Sequence, residues 1–102
     1  MDLEKLRDYC LNPAHPRGRH KARVFAATLR LQKEDAEWLK AQLLSAALRS
    51  DANEREEDDY GRRYIVDFEC ERNQKRATLR SGWIIRRGEN FPRLTTCYVL
   101  SE

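Results

Sequence analysis

Glycine, histidine and cysteine are all scarce in this sequence of 102 residues, and each shortage removes a class of chemistry. The four glycines stand singly at positions 18, 61, 82 and 88, so there is no glycine-rich loop of the P-loop type to cradle a phosphate. The three cysteines, Cys10, Cys70 and Cys97, are odd in number and never fall at the C-x-x-C spacing of a zinc site or redox dithiol. Buried, reduced thiols in a cytoplasmic protein are the expectation. His15 and His20 are the only histidines, five residues apart across a proline, which is a poor metal-ligand spacing. No metal and no other cofactor is expected, and nothing in the spacing suggests a papain-like Cys/His pair. No apolar run approaches the roughly 18 residues that span a bilayer, and the first ten residues are charged where a secretory signal would be apolar. The expectation is one soluble, cytoplasmic domain over residues 1–102, with no membrane association.

What is present supports a folded core. Charged residues make up 36% of the chain, but 40% is hydrophobic and nine residues are aromatic, a balance that argues against disorder. The net charge of +3 conceals three blocks. Residues 9–33 hold six cations and no acid, residues 51–59 hold six acids and one arginine, and residues 72–88 again hold six cations and no acid. If the fold joins the two basic segments, their fields add in one groove that attracts a polyanion; if it separates them, they are solvated faces.

Leu3, Leu6 and Cys10 suggest a short amphipathic helix that Asn12-Pro13 ends. A loop with two prolines and Gly18 follows, and a second helix opens near Arg19, with Lys21 one turn before Phe25. A third helix over residues 33–49 places Ala36, Leu39, Leu43, Leu44, Ala47 and Leu48 on its apolar side. The acidic run after Ser50 has nothing apolar to bury and reads as an exposed loop. From there the period changes to two: strands are expected over residues 60–72, 75–86 and 93–100, with a turn at Asn73-Gln74 and a bulge at Gly82. Helices first and strands second define an α+β domain, its N-terminal helices packed on a C-terminal antiparallel β-meander.

The chemistry-bearing residues left are basic or hydroxyl-bearing. They are His20 and Lys21 at a helix start, Arg86 and Arg87 at a strand end, Arg93 with Thr95 and Thr96 in the last strand, and Tyr64 and Tyr98. Metal-free RNA cleavage needs a base for the 2′-hydroxyl, a donor for the leaving 5′-oxygen and cations for the dianionic phosphorane, and these residue types can supply them. Helix N-terminal amides after Gly18 could also face a phosphate. Each residue has an ordinary role open to it as well: edge-strand charges for Arg86 and Arg93, strand formers for the threonines, and a snorkelling stem over Phe25 for Lys21.

Three ordered strings carry a resemblance: Leu11-Asn-Pro-Ala-His-Pro-Arg-Gly-Arg-His-Lys-Ala-Arg-Val-Phe25, Tyr60-Gly-Arg-Arg-Tyr-Ile-Val-Asp-Phe68 and Trp83-Ile-Ile-Arg-Arg-Gly-Glu-Asn-Phe-Pro-Arg-Leu-Thr-Thr-Cys-Tyr98. They resemble an uncharacterised bacterial domain family associated with toxin modules, and the likeness runs from Leu3 to Leu100. The order of elements is also similar to the Barnase–EndoU–Colicin–RelE class of metal-independent nuclease toxins. By that analogy Gly18-x-x-Lys21-Ala-Arg23 matches the class's first catalytic motif and Arg93-Leu-Thr-Thr96 its final strand. The sheet half lacks the histidine that many members of the class keep.

The resemblance implies a small toxin-type ribonuclease with RNA running across the sheet between the second helix and the last two strands. Lys21 and Arg93 would stabilise the phosphorane, His20 would be the acid or base, and Thr95 or Thr96 would orient the phosphate. Arg17, Arg19, Arg23, Arg86 and Arg87 would grip flanking phosphates. A cognate antitoxin or immunity protein, acidic over the groove, would be the protein partner. Two other readings stay open: a non-catalytic module docking an acidic protein or nucleic acid, and an inhibitor or accessory protein using its 51–59 segment. The sequence leaves oligomeric state open.

Overall fold

The computed structural model describes residues 3–49 and 52–100; the side chain of Leu3 and residues 50 and 51, where the acidic run begins, lie outside the described residues. An α-helical turn, α1 (Leu3–Lys5), passes directly into a π-helical segment (Leu6–Cys10). The wider turn is closed by the Leu11 N–H, which donates to the Leu6 carbonyl at 2.9 Å. Leu6, Cys10 and Leu11 are all buried by it. The second helix, α2 (Arg19–Leu29), begins where expected and ends with Arg30 at φ 54°, a left-handed cap with a long side chain in place of the usual glycine. Arg72 supports this cap: its guanidinium donates to the Leu29 and Arg30 carbonyls, both at 3.1 Å, and to Asp35 at 3.0 Å, and it lies over the Trp38 ring at 5.3 Å. One arginine thus ties the end of a strand to the helical layer.

A 3₁₀ turn (Lys33–Asp35) leads into α3 (Ala36–Arg49), which buries Ala36, Leu39, Leu43 and Ala46. The expected face was partly wrong. Leu44 and Leu48 are 42% and 88% exposed, and Ala47 is exposed too. The helix carries two apolar stripes; the one ending in the small Ala46 meets the sheet, and the second turns away from it.

The sheet has four strands, not three, in the order β1 (Asn53–Glu57), β2 (Gly61–Arg72), β3 (Lys75–Arg86), β4 (Arg93–Val99), each pair antiparallel. The acidic segment expected to be a loop is therefore an edge strand. It buries nothing, as every β1 residue is exposed. Cross-strand neighbours supply what burial does not: Glu56 pairs with Arg63 and Glu57 with Arg62 on β2, opposite charges directly across the ladder. The β2–β3 hairpin turns at Asn73 and Gln74, both at positive φ, as a two-residue type I′ connection requires.

Alternation places Ala77, Leu79, Ser81 and Trp83 of β3 against the helices. Ser81, buried among them, is fully used: its hydroxyl donates to the Val66 carbonyl at 2.8 Å and accepts the Trp83 indole N–H at 2.9 Å. Thr78, Arg80, Gly82, Ile84 and Arg86 consequently face away from the helices. The register of β3 and β4 slips by one at Gly82, so Thr95 is the extra residue of a bulge. A Cβ on Gly82 would stand 2.9 Å from Thr95 Oγ1 and 3.1 Å from Thr96 Cγ2, which is why glycine occupies the position opposite. Cys10, Cys70 and Cys97 are buried free thiols of the core. Burial pushes Cys70 up to about 11 and raises Cys10 and Cys97 as well, with Lys21 pulling the last two down from close by.

Candidate nucleic-acid interface

Lys21 leaves the first turn of α2 toward the bulged strand. Its Nζ donates to Thr96 Oγ1 at 3.1 Å and lies 5.4 Å from the centroid of the Tyr9 ring and 5.2 Å from that of Tyr98. Lys5 approaches the same Tyr9 ring at 5.9 Å and donates to the Thr95 carbonyl at 3.3 Å. Two ammonium groups thus gather over consecutive threonines, and among the described residues neither has a carboxylate within ion-pair distance. Aromatic faces and neutral oxygens attract a cation without cancelling its charge, so this corner keeps a positive field.

The Asn-Pro-x-His-Pro-x-Gly loop builds the seat for Lys21. Asn12 accepts the Ala14 N–H at 3.0 Å and donates to the Asp8 carbonyl at 3.2 Å. His15 stacks on Tyr9 with ring centroids 4.8 Å apart and planes 8° from parallel, while its Nδ1 accepts the N–H groups of Arg17 and Gly18, both at 3.0 Å. Those bonds commit the Nδ1 lone pair and fix the imidazole as its Nε2–H tautomer. Gly18 packs against Tyr9 so closely that a Cβ there would lie 2.2 Å from the Tyr9 carbonyl oxygen.

Beside this corner a cleft of about 510 Å³ is lined by Lys5, Arg86, Phe91, Arg93 and Thr95 around Ile84 and Leu94. A second hollow of about 330 Å³, lined by Tyr60, Arg63, Ile84, Arg86 and Thr95, shares three of those residues, so the two are halves of one trough. Lys21 is not on its wall, but the residue it bonds, Thr96, follows Thr95 in β4.

Of the residues singled out from sequence, Arg86, Arg93 and Thr95 line the trough, and Lys21 and Thr96 adjoin it. Arg93 arrives there neutralised: Glu89 accepts from it through both carboxylate oxygens at 2.9 Å, and this bond holds the Glu89 carboxyl below its usual value. Arg87 lies elsewhere, closing the β1–β2 turn with bonds to the Asp59 and Asp58 carbonyls at 3.0 and 2.9 Å. Arg17, Arg19, His20 and Arg23 are exposed on the loop and α2, without a side-chain partner among the described residues. Arg23 lines a separate groove with Lys33 and Leu31.

The two basic blocks therefore meet only in part. On the arginine-rich face of the sheet Arg80 is held by Asp67 through two bonds of 2.9 Å, Arg76 pairs with Glu71 and Arg63 with Asp58. Arg80 holds the Asp67 carboxyl below the usual range, and Arg63, helped by the Tyr60 and Gly61 N–H groups, does the same to Asp58. Among the described residues the Arg86 guanidinium has neither a hydrogen bond nor an ion pair, although its charge helps Arg93 hold the Glu89 carboxyl down, so it is a cation of that face open to a ligand. Sequence reasoning missed Lys5, Tyr9 and Tyr60. The i, i+4 spacing of Lys5 and Tyr9 was visible, but nothing local links them to Thr95.

Among the described residues no three His, Cys, Asp or Glu side chains gather as a metal site, and no helix is long and apolar enough to cross a membrane. No curated protein and no solved structure matches the chain. A family model does, over residues 1–101, and the chain belongs to that family, the domain of unknown function DUF6883.

Proposed function

For this member of a family without an assigned activity, we propose a metal-independent ribonuclease of toxin type, acting in the cytoplasm and held in check by an acidic antitoxin or immunity protein. The observation that carries the reading is the unneutralised pair Lys5 and Lys21 over Thr95 and Thr96, at the head of a trough that also holds Arg86. A phosphodiester seated there has Lys5 and Arg86 on the wall and Lys21 adjoining through Thr96, and the carboxylate close to Arg86, Glu89, is already engaged by Arg93.

In the reaction the RNA 2′-oxygen bonds to phosphorus as the bond from phosphorus to the 5′-oxygen breaks. The 2′-hydroxyl gives up its proton, the leaving 5′-oxygen gains one, and the products are a 2′,3′-cyclic phosphate and a 5′-hydroxyl; no metal or water is consumed. Lys21, Lys5 and Arg86 stabilise the added negative charge, and Thr96 orients the phosphate. The part first given to Arg93 shrinks, because Glu89 already occupies its guanidinium. His15 is committed to backbone N–H groups, so the proton carrier in this scheme is His20, exposed next to Lys21 on α2.

The test is purified protein on end-labelled RNA in excess chelator. Cleavage leaving cyclic phosphate ends is expected, reduced about 100-fold or more by Lys21→Ala with the fold intact, as for loss of one charge-stabilising donor. A second reading, binding without cutting, has its own observation: no histidine lines the trough. Salt-sensitive RNA binding with no product would establish that reading and remove the enzyme.

A further inference from the structure

We propose that Tyr60 and Phe91 are paired base-stacking platforms at the two ends of the trough, which makes its ligand a single-stranded RNA with unpaired bases on both sides of the bound phosphate. This rests on the trough being an RNA site and adds where the bases go. All nine aromatic side chains lie among the described residues, and just two of them are largely exposed: Tyr60 at 72% and Phe91 at 46%. Both are in the trough, in opposite halves, with Ile84, Arg86 and Thr95 shared between them. Burial would favour hiding either ring, so their exposure on either side of an unpaired guanidinium is the arrangement a single strand needs: cation for the backbone, ring faces for the bases.

The backbone that carries Tyr60 and the face of Phe91 are also held in place. The Tyr60 N–H donates to Asp58 Oδ1 at 2.9 Å and its carbonyl accepts the Arg87 N–H at 3.0 Å. Arg87 clamps the preceding two carbonyls, and Gly61, at φ +152° and with the Ile85 carbonyl oxygen 2.1 Å from where a Cβ would be, admits no side chain. Phe91 carries the Arg93 guanidinium 4.9 Å from its centroid, and Glu89 fixes that arginine. A base at that end extends a stack already begun by Arg93. Asp58 and Glu89 have their charge engaged by Arg63 and Arg93, so the supports of both rings do not repel phosphate. A duplex covers its base faces by stacking, so it meets only the cations.

The experiment measures anisotropy of the full chain with three short probes of equal length: single-stranded RNA methylated at every 2′-oxygen to prevent cleavage, its duplex, and an abasic sugar-phosphate strand. The single strand is expected to bind tightest. Tyr60→Ala and Phe91→Ala should each weaken it by about fivefold to a hundredfold, the range for one base–aromatic stack, and leave the abasic strand unchanged. Tyr60→Phe, which keeps the ring, should bind like wild type. The pairing is overturned if either alanine variant retains full single-strand affinity, or if the abasic strand binds wild type as well as RNA does. RNA cut by wild type and by both alanine variants alike would sink the platforms and spare the ribonuclease; a wild type that neither binds nor cuts RNA would sink both.

Discussion

Gly18→Ala tests how the loop positions Lys21. Gly18 has φ −93° and ψ −9°, negative-φ angles open to alanine, so left-handed strain plays no part and the main effect comes from space. The new Cβ would stand 2.2 Å from the Tyr9 carbonyl oxygen and 2.5 Å and 2.9 Å from two ring carbons. Ordinary contact distances require Tyr9 and the start of α2 to separate by about 1 Å. Tyr9 has little room to withdraw, being stacked on His15 and approached by Lys5 and Lys21. Overpacking against backbone belongs at the upper end of its usual range, about 3 kcal/mol, offset by under about 1 kcal/mol from the stiffer unfolded chain that alanine gives. For a chain of this size the remaining 2 kcal/mol or so lowers the melting temperature by about 8–16 °C. Circular dichroism melts measure that, and the NMR shifts of the Tyr9 ring report whether it moves. A variant that melts within about 2 °C of wild type with an unmoved ring would refute the claim that this contact seats Tyr9.

Arg72→Ala should cost about 2–3 kcal/mol in urea denaturation, because it strips charge-assisted bonds from Asp35 and from the α2 carboxyl end together; a change under about 0.5 kcal/mol would show the cap to be incidental. Acid should lower stability in a defined window. The Asp58, Asp67 and Glu89 carboxyls are held below their usual values of 3.8, 3.8 and 4.5 by Arg63, Arg80 and Arg93. Such depressed groups contribute stability that is fully present above those usual values and is lost as pH falls through the lower, folded ones. The urea midpoint should therefore hold down to about pH 5 and fall below about pH 4, with a shallower fall in Asp67→Asn; a midpoint flat to pH 3 would contradict the pairing.

Where local pattern decides structure, the sequence was legible. The alternation across residues 75–86 coincides with β3 and the Asn73-Gln74 turn with two positive φ angles, while the register does slip at Gly82, but the bulged residue is Thr95 on the facing strand. Where partners come from afar, it was not. Residues 53–57 form a strand because Arg62 and Arg63 face them, a fact of register that hydropathy cannot show. The apolar stripe of α3 was ambiguous between two faces that share Leu39 and Leu43, and packing buried the one that runs on to Ala46.

The same distinction governs the site. Counting six cations in residues 72–88 overstated the field, since Asp67 sits directly across from Arg80 in the ladder and Asp35 reaches Arg72 from the helical layer. Lys21, by contrast, was visible one turn before the core-facing Phe25, yet its bond to Thr96 spans 75 positions. Lys5 belongs to the site through a contact 90 positions away, and no local motif announces it.

The most direct measurement is an amide NMR titration of the full chain with an uncleavable single-stranded RNA. Perturbations should concentrate at Lys5, Lys21, Arg86, Thr95 and Thr96 and weaken with salt, while Arg23 and Lys33 in their separate groove stay still. Shifts confined to Arg17, Arg19 and Arg23, with the Thr95–Thr96 corner silent, would contradict the account.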